Sequence, residues 1–336
     1  MKITKEMLIA WDACEGYYKW FSDRFPDGEA EYQTVLSALA NDDRPDDARW
    51  LLGKAGSEDS VLCLEKIADC QNFFCAGSLV LEKNIEITGF LIVGLNIQVE
   101  GSIGVGESIE TNGCIKADGG IQVGGNIKAG WLIESGWSIK ACGNIVTGGS
   151  IKAGGSIEVG ENIEADGSIE VNGGIQAGGG IQAGWRIEAS WGIEAGGSIE
   201  ADGSIVAGGS VEARGDIQAG GSIHAGWNIQ ADWNIQANGG IGADGSTKAG
   251  LNIEVGGKIE VGGKIEVGGK IEAGGSIKLA RSIESGRSAP GGKGFIRRTS
   301  INVPVLGQPD CVRVVTRVKP INPFSVRRVE PVFERR

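Results

Sequence analysis

Residues 151–186 read IKAGGS IEVGEN IEADGS IEVNGG IQAGGG IQAGWR, hexad after hexad opening on isoleucine. Within each hexad the order is isoleucine, a charged or amide side chain, then alanine or valine. That is inward, outward, inward, the alternation of a β-strand. Positions four and five carry Gly, Asp and Asn, residues that tolerate left-handed backbone. Each hexad therefore reads as a short strand followed by a corner, closed by Ser, Asn, Gly or Lys at position six.

Stepping by six from this stretch keeps the register. From Ile85 to Ile283 there are 34 such positions; 31 are Ile, and the others are Leu91, Val211 and Thr247. Backwards the phase runs through Leu79, Phe73, Ile67 and Val61, giving 38 hexads over residues 61–288. Position three is Ala or Val in 28 of these 38, so the second inward slot is narrow. A strand this short cannot bury its isoleucine alone, whereas stacked copies give every isoleucine neighbours above and below. Three hexads make an 18-residue rung, so the predicted fold is mainly β: a three-sided parallel β-solenoid of 12 to 13 rungs. With about 4.8 Å between stacked strands, such a rod is about 60 Å long. Each buried isoleucine contributes roughly 1.5–3 kcal/mol, which offsets the entropy of fixing a glycine-rich backbone.

Other repeats fit worse. Glycine is 58 of 336 residues but has no triplet spacing, and proline is only 8, which excludes a collagen helix. An α-helix needs a 3.6-residue period and tolerates glycine poorly. Pentapeptide-repeat proteins have the wrong period, and the threonine arrays of ice-binding solenoids are missing. Left-handed hexapeptide acyltransferases share the period. They prefer a small Ser, Thr, Ala or Val two residues before the aliphatic anchor, where this chain mostly has Gly or Trp. Their catalytic histidine could only be His224, at an outward position where neighbouring hexads carry Gln or Glu.

The flanks differ from the repeat. Residues 1–60 carry helix-spaced apolar residues, broken at Phe25-Pro26-Asp27-Gly28, with a second start at Arg44-Pro45. Three or four short helices around Trp11, Trp20, Tyr32, Leu36, Trp50 and Leu51 are expected, serving as a cap over the first rung. Residues 289–336 open on a Gly-rich break and contain the β-like runs SINVPVL, CVRVVTRV and FSVRRVEPVF, punctuated by prolines that suit edge strands. Charge separates sharply: residues 1–60 hold 13 acids and 7 bases (−6), 61–285 hold 27 and 14 (−13), and 286–336 hold 3 and 11 (+8).

Composition also bounds the chemistry. A single histidine leaves little material for His-based metal sites or Ser-His-Asp catalysis. Glycine-loop motifs are inevitable in such a repeat, and Gly257-Lys258-Ile259 lacks the Ser/Thr of a phosphate loop. No catalytic residue, metal or cofactor is expected, and the protein reads as a non-enzyme. Seven cysteines, at 14, 63, 70, 75, 114, 142 and 311, form no CxxC pair and read as reduced thiols. The apolar run Met7–Trp11 is too short for a signal or a span, so a cytoplasmic location without a membrane partner is expected.

The strings GNIKAG and GGSIKAGGSIEVG resemble bactofilin-type polymer-forming scaffold proteins, which implies a right-handed β-helix core and self-assembly. The N-terminal pattern resembles a module of phage and prophage accessory proteins of enteric bacteria. It is carried by Ala13-Cys14, Gly16, Trp20-Phe21, Phe25-Pro26, Gly28, Glu31-Tyr32, Val35-Leu36, Asp42-Asp43-Arg44 and Arg49 to Leu52.

Six tryptophans, Trp131, Trp137, Trp185, Trp191, Trp227 and Trp233, all occupy position five, as three pairs spaced by six. Because 54 and 36 are multiples of 18, Trp137, Trp191 and Trp227 fall on one corner, and Trp131 and Trp185 share another. Two readings are open: rings that lie on glycine-rich corners and cover backbone, or apolar anchors for a partner protein. Acidity raises nucleic-acid mimicry. A duplex of rod length carries about 35 charges against a solenoid net of −13, and Lys116, Lys128, Lys140, Lys152, Lys248 and Lys278 interrupt the acidic columns. These magnitudes weigh against mimicry of a full duplex, and that of a short stretch stays open.

The basic segment is expected to cap the last rung. Its Arg297, Arg298, Arg327 and Arg328 would then face an acidic surface of a sister subunit or a target, making a homo-oligomer through this segment. Contact with nucleic acid is left open. The predicted function is a phage- or prophage-encoded factor that binds and blocks a host protein of a defence system. The alternatives are a self-assembling scaffold and a partial nucleic-acid mimic.

Overall fold

The computed structural model describes residues 1–67, 70–279, 283–285, 298–299 and 312–314. The chain divides into two units, Met1–Gly167 and Ser168–Arg336.

The first unit begins with four helices: α1 (Lys5–Ala10), α2 (Glu15–Arg24), α3 (Tyr32–Asn41) and α4 (Pro45–Ala55). Thr4 caps α1 through its side chain, Pro45 opens α4 with its fixed φ, and Gly28 turns with φ +80. Tyr32, Leu36 and Leu51 are buried as expected, with Tyr17, Phe21 and Leu39 beside them. Trp11, Trp20 and Trp50 only edge this cluster. A small antiparallel ribbon, β1 (Lys2–Thr4) with β2 (Glu29–Glu31), is an addition to the expected helices. Nothing apolar alternates in Glu29–Glu31 to announce it.

Beyond the helices, the first unit is a three-sided parallel β-solenoid. Its strands stack in three columns: the Phe73 stack (Phe73–Cys75 to Ile163–Ala165), the Ser78 stack (Val61–Leu64 to Ile151–Ala153) and the Ile85 stack (Ile85–Ile87 to Ile157–Val159). Partners lie 18 residues apart, as in Ile109 opposite Ile127 and Ile121 opposite Ile139. The second unit repeats the pattern in an Ile169, an Ile175 and an Ile181 stack, with Ile187 opposite Ile205 and Ile193 opposite Val211. First and third hexad positions are buried, second positions face out. The isoleucines form the core, and alanine at position three lets three sheets converge on a narrow interior.

Two expectations are corrected. The register does not reach back to Val61. That strand sets Leu62 opposite Leu79 and Val61 opposite Ser78, one residue out of phase, and Val61 is 62% exposed. The unbroken phase starts at Phe73, because the chain just before it serves the helices instead: the Asn72 Nδ2 donates to the Ala40 carbonyl at 3.1 Å. Second, the corners are not left-handed. Among the described residues, positive φ occurs at Asp12, Gly28, Asp43 and Gly56, all within the helical module. A corner glycine instead allows a close approach between rungs. A Cβ on Gly196 would stand 2.0 Å from the Gly178 carbonyl oxygen.

Candidate binding surface

The helical module is seated on the first strands of the Phe73 stack. The usual outward charge is replaced there by Phe74 and Ile92, both buried in the same core as the helices. Gln33 of α3 treats the open edge as a neighbouring strand would. Its Nε2 donates to the Phe74 carbonyl at 2.7 Å, and its Oε1 accepts from the Ala76 N–H at 2.9 Å. Two rungs on from Phe74, Glu110 bonds Arg49 of α4 at 2.6 Å, and the Arg49 guanidinium lies over the Phe90 ring. Burial works against the Arg49 charge, but hydrogen bonds to Glu110 and Asp46 outweigh it and hold its pKa above the ordinary value. The module thus covers an outer face as well as an edge. The signal was in the sequence, as Phe74 and Ile92 in outward slots.

Position six also has a role that residue type alone did not reveal. Its side chains accept hydrogen bonds from the backbone of the next rung. Asn126 Oδ1 accepts from the Asn144 N–H at 2.7 Å, and Asn144 Oδ1 from the Asn162 N–H at 3.0 Å. In the second unit Asp216, Asn234 and Asn252 continue in the same way toward Lys270. Serines such as Ser204 and Ser222 do it with Oγ. These ladders satisfy corner N–H groups that a three-residue strand leaves over.

All six solenoid tryptophans stand on corners and keep 56–72% of their surface exposed. Each pair brackets one strand: Trp131 and Trp137 flank Ile133–Ser135, Trp185 and Trp191 flank Ile187–Ala189, and Trp227 and Trp233 flank Ile229–Ala231. The outward residues between them are Glu134, Glu188 and Gln230; Glu134 pairs with Lys116 at 3.8 Å and Glu188 with Arg186 at 2.5 Å. Within the second unit Trp191 and Trp227 share a corner with Gly209 between them. The Gly209 N–H donates to the Trp191 carbonyl at 2.9 Å and the Trp227 N–H to Gly209 at 3.2 Å. Trp233 has Leu251, 51% exposed, on the next rung of its corner. Trp131 and Trp137 belong to the first unit.

Of the basic segment, two pieces are described. Val312–Val314 pairs antiparallel with Ile271–Ala273, placing Arg313 opposite Glu272. Arg298–Thr299 pairs antiparallel with Ile283–Ser285, placing Arg298 opposite Glu284. The edge strands of the Ile181 and Ile175 stacks are therefore met by basic chain. Arg297, Arg327 and Arg328 lie outside the described residues. His224 faces outward with Val206 and Gly242 as its register neighbours. Cys14, Cys63, Cys75, Cys114 and Cys142 are free thiols, and burial pushes the Cys75 thiol up. Cys311 lies outside the described residues. Among the described residues, no helix is long and apolar enough to cross a membrane.

Residues 1–58 match the model of a family described as the YdhT N-terminal domain, a span that stops just short of the first solenoid strand at Val61. No curated protein and no solved structure matches the chain.

Proposed function

We propose that this is a non-catalytic binding protein, phage- or prophage-encoded, that uses its solenoid to bind and block a protein of the bacterial host, in the setting of a defence system. The observation that carries the reading is the exposure of all six corner tryptophans. A ring that only covered backbone would hide most of its surface. Large exposed aromatics on a rigid support are the residues most enriched in binding hot spots, since little side-chain entropy is lost on contact. The resemblance of the helical module to phage accessory proteins supports a host target. The lysine interruptions of the acidic columns argue against mimicry of a long duplex.

The test is affinity capture by the full chain from host lysate, followed by reconstitution with the purified captured protein. Changing the six tryptophans to Ala should lower that affinity at least tenfold while leaving the circular dichroism unchanged. Unchanged affinity would sink the reading. The scaffold reading draws support from one observation: among the described residues, the last strand of the Ile169 stack, Ile277–Leu279, has no further strand beside it. Filaments in negative-stain images at micromolar concentration would favour it, and discrete particles the binder.

A further inference from the structure

The corner shared by Trp191, Gly209 and Trp227 differs from the other tryptophan corners. Two exposed indoles leave the same edge two rungs apart, about 10 Å at the ordinary strand spacing, and the residue between them has no side chain. That leaves a slot floored by the Gly209 backbone and bounded above and below by indole. A flat group sandwiched between two rings needs about twice an aromatic contact distance, and the slot has that room. A side chain at Gly209 would be tight, its Cβ 3.0 Å from the Gly192 nitrogen, but Leu251 occupies the equivalent place beside Trp233.

The charge around the slot is one-sided. On one flank the in-register outward residues are Glu194, Glu212 and Gln230, with Glu212 on the rung of Gly209. On the other flank they are Glu188, Val206 and His224. Cations stand around rather than at this corner: Arg186 and Arg214 at the far edges of these two faces, Arg186 held by Glu188, and Lys248 opposite Gln230 one rung beyond Trp227. Two exposed indoles, the carboxylates of Glu194 and Glu212 beside the paired Glu188, and no lysine or arginine among residues 190–192, 208–210 and 226–228 are the chemistry that receives a planar cation.

We propose that the Trp191–Gly209–Trp227 slot binds an arginine guanidinium presented by the partner protein. The proposal rests on the reading of the tryptophan corners as a binding surface, and adds the chemical class of what enters. Glu212 supplies the counter-charge and the indoles supply cation–π contact.

The experiment uses the full chain labelled with nitrogen-15 at tryptophan, with indole N–H resonances assigned from single Trp→Phe variants. The probes are the blocked peptide acetyl-Gly-Arg-Gly-amide and the same peptide with citrulline, which keeps the shape and loses the charge. The arginine peptide should shift the Trp191 and Trp227 signals together and leave Trp20 in place. The citrulline peptide should bind about tenfold more weakly. Glu212→Gln should weaken the arginine peptide several-fold, and Gly209→Leu should abolish the paired shift while the other indole signals stay where they were. Equal binding of both peptides, or no shift of the two signals at millimolar peptide, would overturn the proposal. Loss of partner affinity in the tryptophan variants together with indifference to the arginine peptide leaves the binding reading standing and removes this one.

Discussion

The helical module and the solenoid fold by opposite economies of information. The module places Tyr17, Phe21, Leu36, Leu39 and Leu51 once each, from helices of different direction, and every contact is particular. The solenoid repeats one contact, isoleucine on isoleucine 18 residues away, and leaves particularity to its outward and corner positions. A fold built by repetition is set by its period, so single outward residues become free to vary. In this chain they vary into tryptophan at six corners and into Phe74 and Ile92 where the module sits. Where repetition fails, at Leu62 opposite Leu79, the chain has been diverted to join the two kinds of structure.

The sharpest way to break this contrast is to damage the repeated contact. Ile169 is fully buried and Glu170 faces out. Ile169→Asp should cost more than 4 kcal/mol in denaturant titration, because an unpaired carboxylate cannot be kept among the stacked isoleucines, whereas Glu170→Lys should stay within about 0.5 kcal/mol. Equal effects would mean that the register is wrong.

The junction comes next. Phe74 is an outward residue of the repeat and a core residue of the module. Phe74→Ala should cost about 3–5 kcal/mol and show as separate melting of helical and strand signals. A single unchanged transition would mean that the two regions do not share a core.

A flaw in the repeat offers a test in the stabilising direction. Thr247 stands in an isoleucine slot, fully buried, with its hydroxyl unpartnered. Thr247→Val should raise stability by about 1–3 kcal/mol by removing that polar group. A loss on thermal unfolding would show that the hydroxyl is satisfied after all.

The module carries a pH signature in its two buried phenols. Burial pushes the phenols of Tyr17 and Tyr32 up. A raised folded-state pKa means that the unfolded chain loses its proton first. Stability from these groups is complete below about pH 10 and falls as pH rises further, by about 1.4 kcal/mol per unit for each group. The helical signal should therefore melt earlier above pH 10, and Tyr17→Phe, whose hydroxyl has no partner, should remove part of that decline. A decline identical in the variant would assign it elsewhere.

The period alone determined the three-sided solenoid, the inward isoleucines and the outward second positions, because an 18-residue rung of alternating residues has one way to hide its aliphatic side chains. The corner location of the tryptophans followed from the same arithmetic. The tertiary structure decided what periodicity is blind to. It showed that corner glycines serve close approach between rungs rather than left-handed turns, since that depends on where the previous rung's carbonyl lies. It showed the Asn and Ser ladders, which need the next rung's N–H within reach. It placed Gln33 against the Phe74 edge, and Trp191 and Trp227 either side of Gly209. Local sequence fixes which way a side chain points along its own strand; what it meets is supplied by chain 18 or more residues away, and only packing brings the two together.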